Sequence, residues 1–351
     1  MYAVRVHRPG GPEQLVYEQV PTPSAGRGEA LIKLRNAALN HRDIWIRLGR
    51  QQTEFFPLIL GSDGAGVVAE VGEDVTRVRP GDEVVILPTM FCGRCPSCLA
   101  GQHSLCDRFR LDGGSGSGIL GGPAPGTYAQ YIAVPEINVF RRPRKLSWEE
   151  SAAFPLAALT AYRLVVKRGQ IRAGEQVPIH GIGGGVATFA LQIARAGGGR
   201  VMVTSGSDEK LARARELGAE ATVNYRDPRW QEAVLEWTDG LGAGLVVETV
   251  GAATWKASVR LVCRGGRIAI CGTTSGAEVT TNLRDIFWNH VSVLGTTMGT
   301  ASEFAELIQL LEAGQVRPVV DRVFPLAEAA AAHARMDQGE QFGKIVLAIP
   351  D

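Results

Sequence analysis

The stretch His180-Gly181-Ile182-Gly183-Gly184-Gly185-Val186-Ala187 follows a short apolar run, Gln176 to Ile179, and opens an amphipathic run that continues to about Ala196. A strand, a glycine turn and a helix in that order make a cradle for a pyrophosphate. Glycines let the backbone turn sharply and approach the phosphates, and the helix N-terminus offers free N–H groups and the positive end of its dipole. The strict G-x-G-x-x-G pattern is not met. Counted from Gly181, its third position falls on Val186; with Gly184 as the central glycine, the flanking positions are Ile182 and Ala187. Ala187 is a mild change, because the last glycine serves close packing of helix on sheet. Glycine-rich turns also arise for structural reasons alone, so the surrounding chain has to carry the reading.

From Gln176 onward, strand and helix patterns alternate. The first helix places Val186, Phe189, Ala190, Ile193 and Ala194 on one face. A strand from Arg200 to Thr204 follows, then a helix from Ser207 with Asp208 and Glu209 in its first turn and Gly218 past its end. Further strands are expected at Ala221 to Asn224, Leu245 to Glu248, Gly266 to Cys271 and Val291 to Gly295. This alternation predicts an α/β domain with a doubly wound parallel sheet. Pro178 stands inside the first of these strands, where a missing ladder donor argues against a central position. Ser302 is the expected cap of a later helix that turns Phe304, Leu307, Ile308 and Leu311 inward, and Gly343 to Ile349 reads as a last strand.

Residues 1 to about 146 read mainly as strands and turns, among them Leu31 to Arg35, Gly66 to Val71 and Glu83 to Leu87. Helical patterning begins at Ser147, with Glu150 completing a capping box. The glycine-rich segment from Asp112 to Gly126 has little to pack and is expected to be a mobile loop.

The strand after the glycine turn decides which dinucleotide is held. An NAD site usually carries Asp or Glu at its end to bind the ribose hydroxyls. Here it ends Val203-Thr204-Ser205-Gly206-Ser207, and Lys210 lies one helical turn on. Small hydroxyls and a lysine suit the 2′-phosphate of NADP(H). NAD(H) stays open, because Asp208 or Glu209 could take the ribose, and Lys210 also reads as a solvated helix lysine.

The 351 residues are enough for two domains, and 45% apolar with 21% charged residues is ordinary for a soluble globular protein. A net charge of +1 gives no electrostatic case for nucleic acid or an anionic membrane. The N-terminus alternates like a strand and lacks a signal peptide's apolar core, and no apolar run approaches the roughly 20 residues of a membrane span. A cytoplasmic protein acting on a small molecule is expected. Four of the 6 cysteines crowd into Cys92-x2-Cys95-x2-Cys98-x7-Cys106. Four thiolates form a closed tetrahedral set for one structural zinc per chain, with iron or reduced thiols as the alternatives.

Several shorter stretches join these two signals in order. They are Ala38-Leu39-Asn40-His41-Arg42-Asp43, Leu60-Gly61-Ser62-Asp63-Gly64-Ala65-Gly66, Gly81-Asp82-Glu83-Val84, Gly126-Thr127-Tyr128-Ala129 and Gly343-Lys344-Ile345-Val346. Over nearly its full length the chain resembles the medium-chain dehydrogenases/reductases, in the branch between zinc-containing alcohol dehydrogenases and quinone oxidoreductases. The resemblance implies a GroES-like β-rich catalytic domain over 1–150 and 299–351, with the cysteine lobe at about 88–110. A Rossmann domain over 151–298 would be inserted in it, with the active site in the cleft. It also implies a homodimer or homotetramer paired through the edge strand of the Rossmann sheet, for which Val291 to Gly295 is the candidate.

In the family's alcohol dehydrogenases a catalytic zinc sits on two cysteines and a histidine. The matching positions here are Asn40, Ser62 and Leu156, and the usual Glu beside the ligand histidine is Asp63. His41 and Asp63 with water are the alternative site. Without the metal no Lewis acid polarises an alcoholate. The zinc-free relatives reduce quinones and activated C=C bonds with NADPH, and their asparagine matches Asn40, followed by Asp43 and Arg47 in Asn-x-x-Asp-x-x-x-Arg-x-Gly. Asn40 is then a candidate donor to the acceptor oxygen, with Asp43 and Asp63 beside it. The plainer alternative is that Asn40 and Asp43 only hold their loop. His41, Asp63 and solvent are all open as proton donor. The resemblance further implies cofactor contacts at Thr160, Gly184, Gly185, Val186, Ser205, Lys210, Tyr225, Val250, Gly272, Thr273 and Lys344. Trp45, Phe55 and Phe56 are candidate pocket walls. The leading expectation is an NADPH-dependent reductase of quinones or enones with structural zinc only. The alternatives are an alcohol dehydrogenase or carbonyl reductase of the zinc type, and a non-catalytic NADPH-binding protein.

Overall fold

A computed structural model describes residues 1–50, 56–108 and 118–351. The chain divides into two compact units, Met1–Ala157 with Met298–Gly314 and Pro318–Asp351, and Ala158–Thr297 with Gln315–Arg317.

The second unit holds the alternating segment. Its strands are β1 (Gln176–Ile179), β2 (Arg200–Ser205), β3 (Ala221–Asn224), β4 (Ala243–Glu248), β5 (Val262–Ile270) and β6 (Ser292–Gly295). All pair in parallel in the order β3-β2-β1-β4-β5-β6, the Rossmann order, which reverses direction between β1 and β4. Ligands of such sheets bind where that reversal opens a crevice. Helix α1 (Gly185–Ala196) leaves the glycine turn after β1, and α2 (Asp208–Glu216) follows β2. Every residue of α1 from Ala187 to Ala194 is buried, so the helix is covered nearly all round, whereas its pattern suggests one buried face. Val186, expected on that face, is only partly buried. Gln192 is accommodated inside because its amide exchanges hydrogen bonds with the backbone of Arg317 at 3.0 and 2.8 Å.

Register explains Pro178. Backbone groups of a strand alternate sides, and the N–H of His180 donates to Val247 in β4. The nitrogen of Pro178, two residues earlier, therefore faces β4 as well. Only Ile179 of β1 is in register with β4, while all of Gln176 to Ile179 pairs with β2. The missing donor falls where the β4 ladder has not begun.

The first unit is built around the strand Glu29–Ala38. Asp63–Val71 pairs with it antiparallel, with Asp63 opposite Ala38, and Lys344–Ala348 pairs antiparallel beside it, with Val346 opposite Ala38. The end of the chain is thus a structural part of the N-terminal sheet. Ile32, Leu34, Leu60, Ile86, Tyr128, Ile345 and Leu347 meet in its core.

Four local expectations are corrected. A short helix, His41–Arg47, interrupts the stretch read as strands and turns, because the Asp43 carboxylate accepts the Asn40 N–H at 2.9 Å and caps it. The helix Ala301–Glu312 is capped by Thr300, not Ser302. Thr300 accepts the N–H of Glu303 at 3.2 Å and donates its own N–H to that carboxylate at 2.8 Å, so the glutamate selects the register. Residues 112–117 of the expected mobile loop lie outside the described residues, whereas 118–126 are tied down. Gly118–Ile119 pairs with Thr89–Met90, and Arg42 donates to the carbonyls of Leu120 and Gly122. Val320–Pro325, not anticipated as a strand, runs parallel beside the last one. Among the described residues no helix is long and apolar enough to cross a membrane.

Candidate active site and metal lobe

The glycine turn is pinned to the end of β2. Gly181 donates to the Thr204 hydroxyl at 3.2 Å and Ile182 to the Thr204 carbonyl at 2.9 Å. Gly181 and Gly183 have φ of 71° and 134°, which other residues adopt only with strain. A Cβ at Gly181 would stand 2.9 Å from Val250, and one at Gly183 would stand 3.0 Å from the Lys210 chain. At Gly184 it would meet nothing within 4 Å. The open face thus lies at Gly184, at the head of α1, where the N–H groups of Gly185 and Val186 have no intrahelical partner. Lys210 lies across this turn. Ser205 is buried beside it, and the half-exposed Tyr225 ring packs over Gly206. Asp208, an alternative ribose ligand, already accepts from Asn224 at 2.8 Å. The turn, its free N–H groups and the lysine fit a dinucleotide.

Val250, Gly272 and Thr273 lie in the loops after β4 and β5. The wholly buried Glu248 carboxylate shapes the first of these loops. It accepts from the N–H groups of Val250 and Gly251 at 2.7 and 2.9 Å, and from the hydroxyls of Thr254 and Ser258 at 2.8 and 2.6 Å. Ser275 then donates to the Val250 carbonyl at 2.8 Å, joining the two loops. Thr160 is buried at the end of the helix Pro155–Tyr162.

The four cysteines converge in the first unit. Their sulfurs all lie within 4.8 Å of one another, with Cys92–Cys98 at 4.0 Å and Cys95–Cys106 at 3.9 Å, and all are free thiols. A zinc–thiolate tetrahedron with bonds of about 2.3 Å has sulfur–sulfur edges of about 3.8 Å, so the set fits zinc. Backbone N–H groups of Cys92, Cys98 and Asp107 donate to these sulfurs at 3.4 Å, as thiolates require. The N–H of Arg94 is the main cause that brings the Cys92 thiol down to about 6, while burial pushes that of Cys98 up to about 12.

The ends of three neighbouring strands bring Asn40, Asp63 and Lys344 together, all nearly or wholly buried. Lys344 donates to the Leu39 carbonyl and to Asn40 Oδ1 at 2.6 Å each, and to Asp63 Oδ2 at 2.9 Å. Asn40 Nδ2 donates to the same Asp63 oxygen at 2.9 Å, and the Leu156 N–H to the other at 2.7 Å. The three ammonium protons of Lys344 are thereby used inside the first unit. Ser62, wholly buried, donates to the Leu120 carbonyl at 2.7 Å and accepts from Arg42 at 2.9 Å. Asn40, Ser62 and Leu156 therefore do not fit a zinc ion: no thiolate or imidazole is present, and an ammonium already sits against the one carboxylate. Among the described residues the four cysteines are the one cluster of metal-ligating side chains.

Asp43 is wholly buried and meets the backbone of Asn40, whose side chain meets Asp63. Its Oδ2 accepts from Asn40 N–H and from the Tyr128 hydroxyl at 3.0 Å, and burial raises its pKa. His41 has an open surface, but surrounding protein and then the Lys344 ammonium hold its pKa below the usual imidazole value. Phe56 packs partly buried against the core of the first unit, and Phe55 lies outside the described residues. A groove of about 610 Å³ bordered by Met1, Pro23, Pro57, Pro125 and Tyr131 includes none of these site residues.

Residues 26–144 match the alcohol dehydrogenase GroES-like domain, and residues 185–313 match the zinc-binding dehydrogenase family. A crystal structure of an NAD-dependent alcohol dehydrogenase superposes with a TM-score of 0.95 at 42% identity, covering 100% of both chains. A zinc-type alcohol dehydrogenase-like protein of Schizosaccharomyces pombe is 36% identical over 97% of this chain and 96% of its own. The chain belongs to the zinc-containing alcohol dehydrogenases of the medium-chain dehydrogenase/reductase superfamily. Human quinone oxidoreductase is a further relative, 28% identical over 99% of this chain and 97% of its own. This medium-chain enzyme is an NAD(P)H-dependent oxidoreductase with a four-cysteine structural metal site.

Sequence reasoning assigned Lys344 to the cofactor and missed its partnership with Asn40 and Asp63. One signal was available. A lysine opening the fully apolar run Ile345-Val346-Leu347 enters a buried strand and needs a buried partner. Glu248 carried the same kind of signal, because it closes the apolar run Leu245-Val246-Val247 and its partners follow within ten residues.

Proposed function

We propose that this medium-chain enzyme delivers hydride from NADPH to quinones or enones, with the acceptor oxygen received by the Asn40 amide and no zinc at the reaction centre. The observation that carries this is the Lys344–Asp63–Asn40 cluster, which supplies an ammonium where a metal would need ligands. One proton of Asn40 Nδ2 goes to Asp63, which leaves the other for an oxygen that gains charge during reduction. An acceptor already polarised by conjugation needs only such a donor. When bound, NADPH would supply the hydride; Lys210, Ser205 and Tyr225 would hold its 2′-phosphate, and Gly184 to Val186 its pyrophosphate. Both oxygens of Asp63 already accept, one from Lys344 and Asn40 and the other from the Leu156 N–H, which leaves the proton to His41 or solvent.

A second reading, an alcohol–carbonyl couple with NAD(H), is favoured by the ordering of the relatives. Those at 42% and 36% identity carry alcohol dehydrogenase names, one of them NAD-dependent, while the quinone oxidoreductase stands at 28%. On names and identity alone this second reading is the better supported, and the first rests on the site. The test is to count metal in the purified enzyme and to assay it with 1,4-naphthoquinone and 2-cyclohexenone against benzaldehyde and benzyl alcohol. One zinc per chain and turnover of the first pair with NADPH are expected. Two zincs, or turnover confined to the alcohol–aldehyde pair, would overturn the first reading in favour of the second.

A further inference from the structure

We propose that Lys344 is a positioning residue that locks the Asn40 amide with its N–H donor facing the acceptor; this rests on the reading of Asn40 above. An asparagine amide is nearly symmetric in shape, and its two orientations differ only in where the oxygen and the NH2 group point. Here the surroundings are not symmetric. Oδ1 receives the Lys344 ammonium at 2.6 Å, and Nδ2 faces the Asp63 carboxylate at 2.9 Å. Turned over, the amide would set NH2 against NH3⁺ and its oxygen against a carboxylate, so both contacts become repulsive. The cluster is 3% exposed at the lysine and 0% at the aspartate, so water does little to soften either repulsion.

Strand register puts the three groups there. Val346 lies opposite Ala38, which places Lys344 opposite Asn40, and Asp63 lies opposite Ala38 from the other side. The Leu39 carbonyl takes the third lysine proton, and the Leu156 N–H takes the second carboxylate oxygen. Neither Lys344 nor Asp63 has freedom to turn toward another partner. The arrangement is a built-in cation that orients a neutral donor instead of binding the acceptor oxygen itself.

Two readouts test this, one of turnover and one of the amide alone. The full-length, zinc-loaded enzyme is compared with Lys344→Met, Lys344→Gln and Asn40→Leu. In ¹⁵N-labelled protein the Asn40 side-chain amide is assigned by its loss in Asn40→Leu, and its solvent exchange is measured. Lys344→Met is expected to exchange at least about tenfold faster and to lose about 100-fold in kcat with 1,4-naphthoquinone, the loss typical of one removed oxyanion donor. KM for NADPH should move by less than about threefold. Lys344→Gln, which keeps a donor for Oδ1, should recover amide protection and at least a tenth of kcat. If Lys344→Met does not fold, Lys344→Ala, which also removes the donor to Oδ1, takes its place with the same expected loss of amide protection. Unchanged amide exchange in both lysine variants overturns the positioning role. If Asn40→Leu keeps full kcat while Lys344→Met loses amide protection, the positioning stands and the reading of Asn40 as donor falls.

Discussion

At the scale of single residues, the choice of dinucleotide rests on what stands at the end of β2. Ser205 is buried, its hydroxyl accepts the Ser207 N–H at 3.2 Å, and the Lys210 chain crosses the glycine turn next to it. An aspartate at 205 would set a negative charge against a 2′-phosphate. Ser205→Asp should move the ratio of kcat/KM for NADPH over NADH at least tenfold toward NADH. A wild type that already prefers NADH would remove the basis of this expectation. The position of Ser205 and Lys210 beside the glycine turn was readable from the chain, because they follow the strand at a fixed spacing. Lys344 was not readable in the same way, since it stands 281 and 304 positions from its side-chain partners Asp63 and Asn40, and only sheet pairing joins them.

At the scale of elements, the two ends of the Rossmann sheet differ. Among the described pairings β6 has a single neighbour, β5, and Val293 on it is 45% exposed. The preceding segment exposes Leu283, Phe287 and Trp288 by 73%, 62% and 61%. An open edge flanked by large apolar side chains is a template for pairing with another chain. A second copy of this chain is the occupant expected, with β6 paired to β6. Light scattering should then give at least twice the 37.5 kDa of one chain, and Trp288→Asp with Phe287→Asp should shift it toward the monomer. A wild-type monomer at micromolar concentration would rule the pairing out. Element types were mostly legible in the pattern. The exceptions were the helix His41–Arg47, whose cap is a side-chain bond, the strand Val320–Pro325, which the pattern did not show, and the start of the helix at Ala301, where two hydroxyls compete and Glu303 decides.

At the scale of the whole molecule, each unit buries a neutral histidine. His333 is wholly buried beside Tyr128, and burial, with the Arg47 guanidinium adding to it, pushes its pKa down to about 3. Burial likewise lowers that of His180, which packs edge-on against Trp230. A depressed pKa means the unfolded chain binds the extra proton first. The stability each histidine contributes is therefore complete above its unfolded value near 6.5 and is lost as pH falls toward the folded value. The slope is at most about 1.4 kcal/mol per pH unit for each group. Between pH 6 and 4.5, His333→Gln should flatten the fall of unfolding free energy by about 1 kcal/mol per pH unit relative to wild type. Parallel slopes for the two proteins would show that His333 is not the titrating group.

What the amino-acid sequence determined by itself is everything carried by short-range pattern. The alternation of strand and helix after Gln176, the glycine turn and the spacing of Cys92, Cys95, Cys98 and Cys106 each depend on residues within one or two turns of one another. Their local geometry follows from backbone sterics and thiolate chemistry. The tertiary structure alone decided what surrounds Asn40. Asp63 and Lys344 open two strands and Asn40 follows a third between them, and only the register of that sheet, set by burying apolar faces, brings an ammonium, a carboxylate and an amide within 2.9 Å. Pro178 is the smaller case of the same rule. Its place is allowed because the ladder on its side starts one residue later, and no local pattern shows where a ladder starts.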